Sequence, residues 1–335
     1  MEVEKLNLPK NWLITGGCGF IGVNLVDKLL REFPQVNIRI LDNLSVGTRD
    51  DLKEVCEFQE IFTQDIKDTP KGIELLVGDI KDYEICLKAC KGVEVVVHLA
   101  ASTGVPQSVE NPRRDMEMNV LGTFNMLEAS RQQEVEKFIF ASSGAPLGEV
   151  EPPIHEEIAP KPVSPYGASK LSGEAYCSAY YRSFGLKTIA LRFGNVYGAR
   201  SNHKASVVAK FFKNALNEKP LEIYGDGKQT RDFIYIDDLI QAILCSAKAD
   251  IGGEVFQIAT FRETTVNEIA QKIKQIVEKE TEKKVKIIYT QPRLGDVKRN
   301  YSDISKAKML LGYEPKFTLE EGLLKTFKYF IRKQN

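Results

Sequence analysis

The chain has 335 residues, 43% hydrophobic and 27% charged, the composition of a soluble globular protein with room for a large core and two lobes. Lysine plus arginine equals aspartate plus glutamate, 46 against 46, so net charge points neither to nucleic acid nor to an anionic membrane surface, and any anionic ligand must be held by local charge. The opening Met1-Glu2-Val3-Glu4-Lys5 lacks the basic-then-apolar order of a leader and no apolar run approaches the roughly 20 residues of a membrane span, so the expected setting is the cytoplasm.

Trp12-Leu13-Ile14-Thr15 is a strand candidate that runs into Gly16-Gly17-Cys18-Gly19-Phe20-Ile21-Gly22 and then into a helical period from Val23 to Leu30. Strand, glycine turn and helix in that order suit a pyrophosphate: glycine lets the backbone approach, and the helix N-terminus offers N-H groups. The next strand, Asn37 to Leu41, ends in Asp42, 20 residues beyond Gly22, where a carboxylate would bind an adenosine ribose and repel a 2'-phosphate. NAD is therefore expected rather than NADP. Residues 43 to 71 are polar and without clear period, apart from a short helix near Asp51 to Phe58. A strand follows at Ile73 to Val77, leading into Gly78-Asp79-Ile80. Then come a helix from Tyr83 to Cys90, a strand from Val93 to Val97 and the turn His98-Leu99-Ala100-Ala101.

Strands alternating with helices of this length imply right-handed parallel crossovers, hence an α/β, Rossmann-type doubly wound parallel sheet with its ligands at the carboxyl edge. An amphipathic helix is expected from Met116 to Arg131, and a strand Lys137 to Ala141 that delivers Ser142 and Ser143 to that edge, as substrate-bonding hydroxyls or as caps. In Ser164-Pro165-Tyr166-Gly167-Ala168-Ser169-Lys170 a helix would put Tyr166 and Lys170 on one face, one turn apart, where an ammonium can stabilise a tyrosinate. Alone, such a pair is common by chance. Six scattered cysteines and three histidines show no zinc-like spacing, His98 reads as a packed strand-end residue, and no metal is expected.

The ordered set Thr15 to Gly22, Gly78-Asp79-Ile80, His98-Leu99-Ala100-Ala101, Ser142-Ser143, Tyr166 to Lys170 and Arg192-Phe193-Gly194-Asn195-Val196-Tyr197-Gly198 resembles the extended short-chain dehydrogenase/reductase family, above all its NAD-dependent nucleotide-sugar epimerases. The resemblance covers nearly the whole chain. It implies Ser143, Tyr166 and Lys170 as catalytic residues, and Gly16, Gly19, Phe20, Ile21, Gly22, Asp42, Asn43, Asp79, Ile80, Ala100, Ala101, Tyr166 and Lys170 as the NAD site. It further implies that Tyr166 removes a sugar hydroxyl proton while NAD takes the hydride, that the keto sugar turns over, and that hydride returns to its other face. The family's 4,6-dehydratases carry an Asp-Glu pair directly after the catalytic hydroxyl residue, and its decarboxylases a Glu two beyond; here those positions are Gly144 and Ala145, which favours epimerisation. Pro146-Leu147-Gly148 stands where relatives carry Val-Tyr-Gly.

Past Arg200 the period changes: a helix Ser206 to Leu216, a strand Leu221 to Tyr224, a turn at Gly225-Asp226-Gly227, a strand Arg231 to Ile236, and helices from Asp237, Val266 to Glu280 and Leu319 to Ile331. Residues 1–185 are expected to form the NAD-binding domain, with some later segments returning to it, and 186–335 mainly a smaller C-terminal α/β substrate lobe. By resemblance, Ser143, Asn195, Arg231, Arg293, Asp296 and Asn300 bind substrate. The two guanidiniums suit a diphosphate, and Asn300 stands where a bulky tyrosine in some epimerases excludes N-acetylated sugars. The expected activity is 4-epimerisation of a UDP-hexose by a homodimer. A dehydratase or decarboxylase of the same fold, and a non-catalytic NAD-binding sensor or scaffold, are the alternatives.

Overall fold

The computed structural model describes residues 8–66, 68–203, 206–292 and 298–333. Fourteen strands are found among them: β1 (Asn11–Thr15), β2 (Asn37–Asp42), β3 (Gln59–Ile61), β4 (Ile73–Val77), β5 (Val95–His98), β6 (Lys137–Ser143), β7 (Lys187–Phe193), β8 (Asn195–Tyr197), β9 (Leu221–Tyr224), β10 (Thr230–Arg231), β11 (Phe233–Tyr235), β12 (Glu254–Ile258), β13 (Thr264–Thr265) and β14 (Ile287–Thr290). Eight of them make one sheet in the order β12-β7-β6-β5-β1-β2-β4-β3, every pair parallel. The chain starts in the middle at β1 and winds outward first to one side and then to the other, so the carboxyl ends of β1 and β5 meet at the switch point.

Alternation along the strands builds two cores. Trp12, Ile14, Val95 and Val97 face one layer, with Leu25 and Leu29 of the helix Phe20–Glu32 and Ile240 and Ile243 of the helix Ile236–Lys248. Leu13, Val96, Phe138 and Phe140 face the other, under Cys86, Met126, Leu127 and Cys177 from the helices Tyr83–Ala89, Gly122–Gln132 and Pro165–Phe184. Helices on both faces make the sheet doubly wound.

Three local features add to the expectation. The short helix expected near Asp51 to Phe58 lies at Arg49–Lys53, started by a Thr48–Asp51 capping box, and the stretch read as irregular also holds the edge strand β3, whose single buried residue, Ile61, leaves no alternation to read. The amphipathic segment near 116–131 contains a π-turn at Glu117–Leu121 between the helices Pro112–Met116 and Gly122–Gln132. Strand β12, which follows the turn at Gly252-Gly253, pairs in the main sheet beside β7. The remaining strands form small pairs, β8 with β11, β9 with β14 and β10 with β13, packed with the helices Val207–Leu216, Val266–Glu280 and Leu319–Arg332.

Candidate active site

Because all eight strands are parallel, their carboxyl ends share one edge, and the sequence motifs sit in the turns that leave it. After β1, Gly16 adopts φ +68° and its N-H donates to Leu41 O at 2.8 Å. A Cβ on Gly16 would lie 2.9 Å from Ala100 N, and one on Gly22 would lie 2.5 Å from the Gly17 Cα, so backbone fills the space a side chain would need. The helix Phe20–Glu32 begins at Gly19 with no side-chain cap and no acid in its first turn, an N-terminus suited to an anion. Ile21 lies in that first turn.

Asp42 closes β2 with its carboxylate laid across the glycine turn: Oδ2 accepts from Cys18 N at 3.0 Å and Oδ1 from Leu44 N at 2.8 Å. Burial pushes this acid up and the two N-H donors pull it down. Asn43 donates to Asp79 Oδ2 at 3.3 Å, and Ile80 O accepts from Asn125 Nδ2 at 3.0 Å, which ties the turn after β4 to the turn after β2. Ala100 N donates to Thr15 Oγ1 at 3.1 Å, with Ala101 next in the chain. A cradle that a Cβ would fill, an uncapped helix start and a carboxylate at the end of β2 fit a dinucleotide with a free ribose 2'-hydroxyl. Gly22→Ala is expected to lower stability by about 1–3 kcal/mol through overpacking, seen as a lower urea midpoint at unchanged slope, and to weaken retention of NAD.

At the other end of this edge, β6 delivers Ser143, and the helix Pro165–Phe184, capped by Ser164 Oγ accepting from Gly167 N at 3.1 Å, delivers Tyr166 and Lys170. The Ser143 hydroxyl lies near enough to the Tyr166 phenol to favour its ionised form. Lys170 Nζ donates to Ala141 O at 2.8 Å and lies 4.9 Å from the Phe140 ring centre and 6.0 Å from that of Tyr166. Burial pulls the lysine down to about 8, against Asp115 and Glu174, which raise it. Burial also pushes Tyr166 above its ordinary value, outweighing Ser143, so the protein's own groups leave the phenol protonated at neutral pH instead of lowering it.

Only one of the two edge serines reaches this site. Ser142 is buried and donates to Glu174 Oε1, whose carboxylate is held by Arg192 at 2.8 and 2.7 Å, so of the two roles open to it, substrate hydroxyl or cap, it takes neither and joins a buried ion pair. His98 is packed, as expected, between Thr15 Oγ1 (2.8 Å) and Thr123 Oγ1 (3.2 Å), and burial, then Lys170, lowers it to about 3. With a folded pKa below its unfolded value near 6.5, the unfolded chain takes up the proton first as pH falls. The stability His98 contributes is thus complete above about 6.5 and lost towards 3; urea midpoints of His98→Gln and the unaltered protein are expected to converge over that window.

Gly144 has open space around it, with nothing within 4 Å of a built Cβ, so an acid there would meet no steric bar. Ala145–Leu147 forms a single 3-10 turn in which Pro146 and Leu147 are buried, so the pair that replaces Val-Tyr serves packing.

Two residues beyond Phe193, the cross-strand neighbour of Ser143, a cavity of about 270 Å³ opens. Asn195 and Arg231 line it, together with Lys210, Phe211, Tyr224 and Gln229. The last four carry no short motif; Lys210, Phe211 and Tyr224 converge because the helix Val207–Leu216 packs on β9, and Gln229 Nε2 donates to Tyr224 O at 2.9 Å. Arg231 Nη1 donates to Thr230 O at 2.6 Å, and Asn300 N donates to Thr230 Oγ1 at 3.4 Å, which puts Asn300 beside the cavity without lining it. Arg293 and Asp296 lie outside the described residues. Among the described residues no cluster of three metal-ligating side chains occurs, and no helix is long and apolar enough to cross a membrane.

A sequence model of the NAD dependent epimerase/dehydratase family matches residues 12–259. The chain belongs to that family, and NAD is its cofactor. It is similar to a UDP-glucose 4-epimerase of Mycolicibacterium smegmatis, 34% identical over 96% of this chain and 98% of that one. Among solved structures it is similar to UDP-glucose 4-epimerase of Thermotoga maritima with UDP-glucose, at TM-score 0.86 and 37% identity, covering 97% of this chain and 100% of that one. It is also similar to UDP-N-acetylglucosamine 4-epimerase of Methanobrevibacter ruminantium in complex with UDP-N-acetylmuramic acid, at TM-score 0.86 and 32% identity, covering 98% and 100%.

Proposed function

We propose that this NAD-dependent nucleotide-sugar epimerase inverts C4 of a UDP-hexose through a transient 4-keto sugar. The observation that carries the reading is the meeting of Ser143, Tyr166 and Lys170 at one end of the sheet edge, beside open space at Gly144 that holds no second acid. In this reading Tyr166 takes the proton from the 4-hydroxyl and later returns it. Ser143 hydrogen-bonds the same oxygen, and Lys170 supplies the neighbouring positive charge. Bound NAD supplies the acceptor for the C4 hydride, the donor that returns it, and while oxidised a positive charge that favours the tyrosinate. Gly16, Gly19 and Gly22 with Phe20 and Ile21 would hold the pyrophosphate, Asp42 and Asn43 the adenosine ribose, Asp79 and Ile80 the adenine side, and Ala100 and Ala101 the strand-end wall. Asn195 and Arg231 would hold the substrate's diphosphate in the cavity they line, with Arg293 and Asp296 assigned to the same task by sequence. The NAD-binding domain would span 1–185 with returning segments, and the substrate lobe mainly 186–335.

Gly144 and Ala145 bring no carboxylate to the two positions from which water could be eliminated or loss of carbon dioxide assisted. Asn300, half-buried beside the cavity, favours a pocket that admits an N-acetyl group. The test is incubation with UDP-glucose, UDP-glucuronate and UDP-N-acetylglucosamine, with the sugar stereochemistry read by NMR. A C4 epimer is expected, and a 6-deoxy-4-keto sugar or a pentose would overturn the assignment.

A homodimer is part of the same proposal. Met116, Leu121, Phe124, Tyr176 and Phe184 are exposed on neighbouring helices, and Phe124 packs edge-on against Tyr176 with ring centres 5.5 Å apart. Light scattering at micromolar concentration is expected to give twice the chain mass, and Phe124→Asp to give the monomer. A monomeric unaltered protein would contradict it.

A further inference from the structure

Asp115 is a buried acid with no part in the mechanism above. It is 2% exposed, at the end of the short helix Pro112–Met116, just before the π-turn. That turn holds Asn119 so that its Nδ2 donates to Asp115 Oδ1 at 2.9 Å, to Ser102 O at 2.9 Å and to Ser169 Oγ at 3.2 Å, while its Oδ1 accepts from Ser102 N at 2.8 Å. Ser169 Oγ in turn donates to Tyr166 O at 3.0 Å. The hydrogen-bonded path therefore runs from Asp115 to the backbone of Tyr166. Asp115 and Ser169 also share the wall of a second cavity, of about 230 Å³, behind the helix that carries Tyr166 and Lys170.

We propose that Asp115 is the counter-charge of the Tyr166–Lys170 pair, a positioning residue that keeps Lys170 an ammonium and sets the pH range in which the pair can exchange a proton with substrate. The proposal rests on the assignment of those two residues to catalysis. Lys170 is buried to 4% exposure. The charged and titratable groups facing it are Tyr166, Glu174 and Cys177 on its own helix, Asp115 on the Pro112–Met116 helix, and His98 on β5. His98 is neutral. Glu174 is shared with Arg192, whereas Asp115 has only the Asn119 amide among the described residues, and it is the strongest influence holding the lysine up against burial. It acts on Tyr166 as well, after burial and Ser143, and there too it raises the proton affinity.

The sign of the outcome follows. Asp115→Asn keeps the shape and the Asn119 contact while removing the charge, so Tyr166 should ionise, and Lys170 lose its proton, at lower pH than before. Two measurements read this. In the pH profile of kcat/KM for epimerisation, both limbs of the bell should move to lower pH. The loss at the new optimum should stay well below the about 10² that removal of a general acid/base costs. In protein stripped of NAD, the ring resonance of 13C-labelled tyrosine that is missing from Tyr166→Phe should titrate at lower pH. Asp115→Glu, which retains the charge, should leave both readouts near those of the unaltered enzyme. A folded Asp115→Asn with unmoved limbs and an unmoved resonance, or an Asp115→Glu displaced as far as Asp115→Asn, would overturn the proposal. If Asp115→Asn does not fold, Asn119→Asp, which adds a second carboxylate beside the first, should move the resonance upward; no movement would equally overturn it. If Tyr166→Phe remained fully active, the catalytic assignment would fall while the resonance shift still reported whether Asp115 is coupled to the pair.

Discussion

Tyr166→Phe is expected to lower kcat by about 10² or more, the cost of removing a general acid/base, with little change in KM. The substitution removes one oxygen, which lies near Ser143. The ring, which Lys170 approaches to 6.0 Å, stays in place. Neither core loses an atom, so the urea midpoint should hold. A fall in kcat and kcat/KM together marks an interaction made in the transition state, whereas a rise in KM alone would mark lost binding. Full activity in Tyr166→Phe would show that another group handles the proton, whereas no turnover of any nucleotide sugar by the unaltered protein would leave a non-catalytic NAD-binding protein as the better reading.

Glu174→Ala is expected to be the most destabilising single change, by about 3–5 kcal/mol, because it leaves a buried arginine without its carboxylate. Arg192 is 4% exposed, gives two hydrogen bonds to Glu174, and already has one buried nitrogen, Nη1, without a partner among the described residues. Ser142 would lose its acceptor at the same time, one residue before Ser143. The end of β6 would then be free to shift, so kcat should fall along with the urea midpoint. Replacing the pair together, Glu174→Leu with Arg192→Met, removes both charges. It should recover most of the stability, since apolar residues of similar volume are often neutral substitutes for a buried ion pair. Equal loss in the single and double variants would show that the stranded charge is not the cause and that the pair's own hydrogen bonds stabilise the fold beyond its volume.

How much of this was legible in the sequence varies with the kind of constraint. The glycine turn could be read because its requirement is local: Gly16 needs positive φ and Gly22 has no room for a Cβ, so the residue type records the geometry. Tyr166 and Lys170 could be paired because helix spacing alone puts them on one face. The same spacing continues to Glu174, which went unread because its partners Ser142 and Arg192 come from two neighbouring strands whose register is a tertiary fact. The cavity was half legible: Asn195 lies in a motif and Arg231 was placed by resemblance, while Lys210, Tyr224 and Gln229 reach it through packing of the second lobe. Asp115 was hidden by the π-turn, which shifts the phase of an otherwise amphipathic helix. The upward push on Tyr166 in the protein without NAD was not legible, because it comes from burial of the phenol, which outweighs what the protein's own groups supply.

The central claim is oxidation and re-reduction at one carbon inside one closed site, and it is tested most directly by turnover of UDP-glucose, or whichever UDP-hexose proves to be the substrate, deuterated at C4. NMR of the product should show the C4 epimer with deuterium retained at C4, and with C6 and the carbon count unchanged. Deuterium lost to solvent, or transferred to C6 with loss of water, would contradict the account.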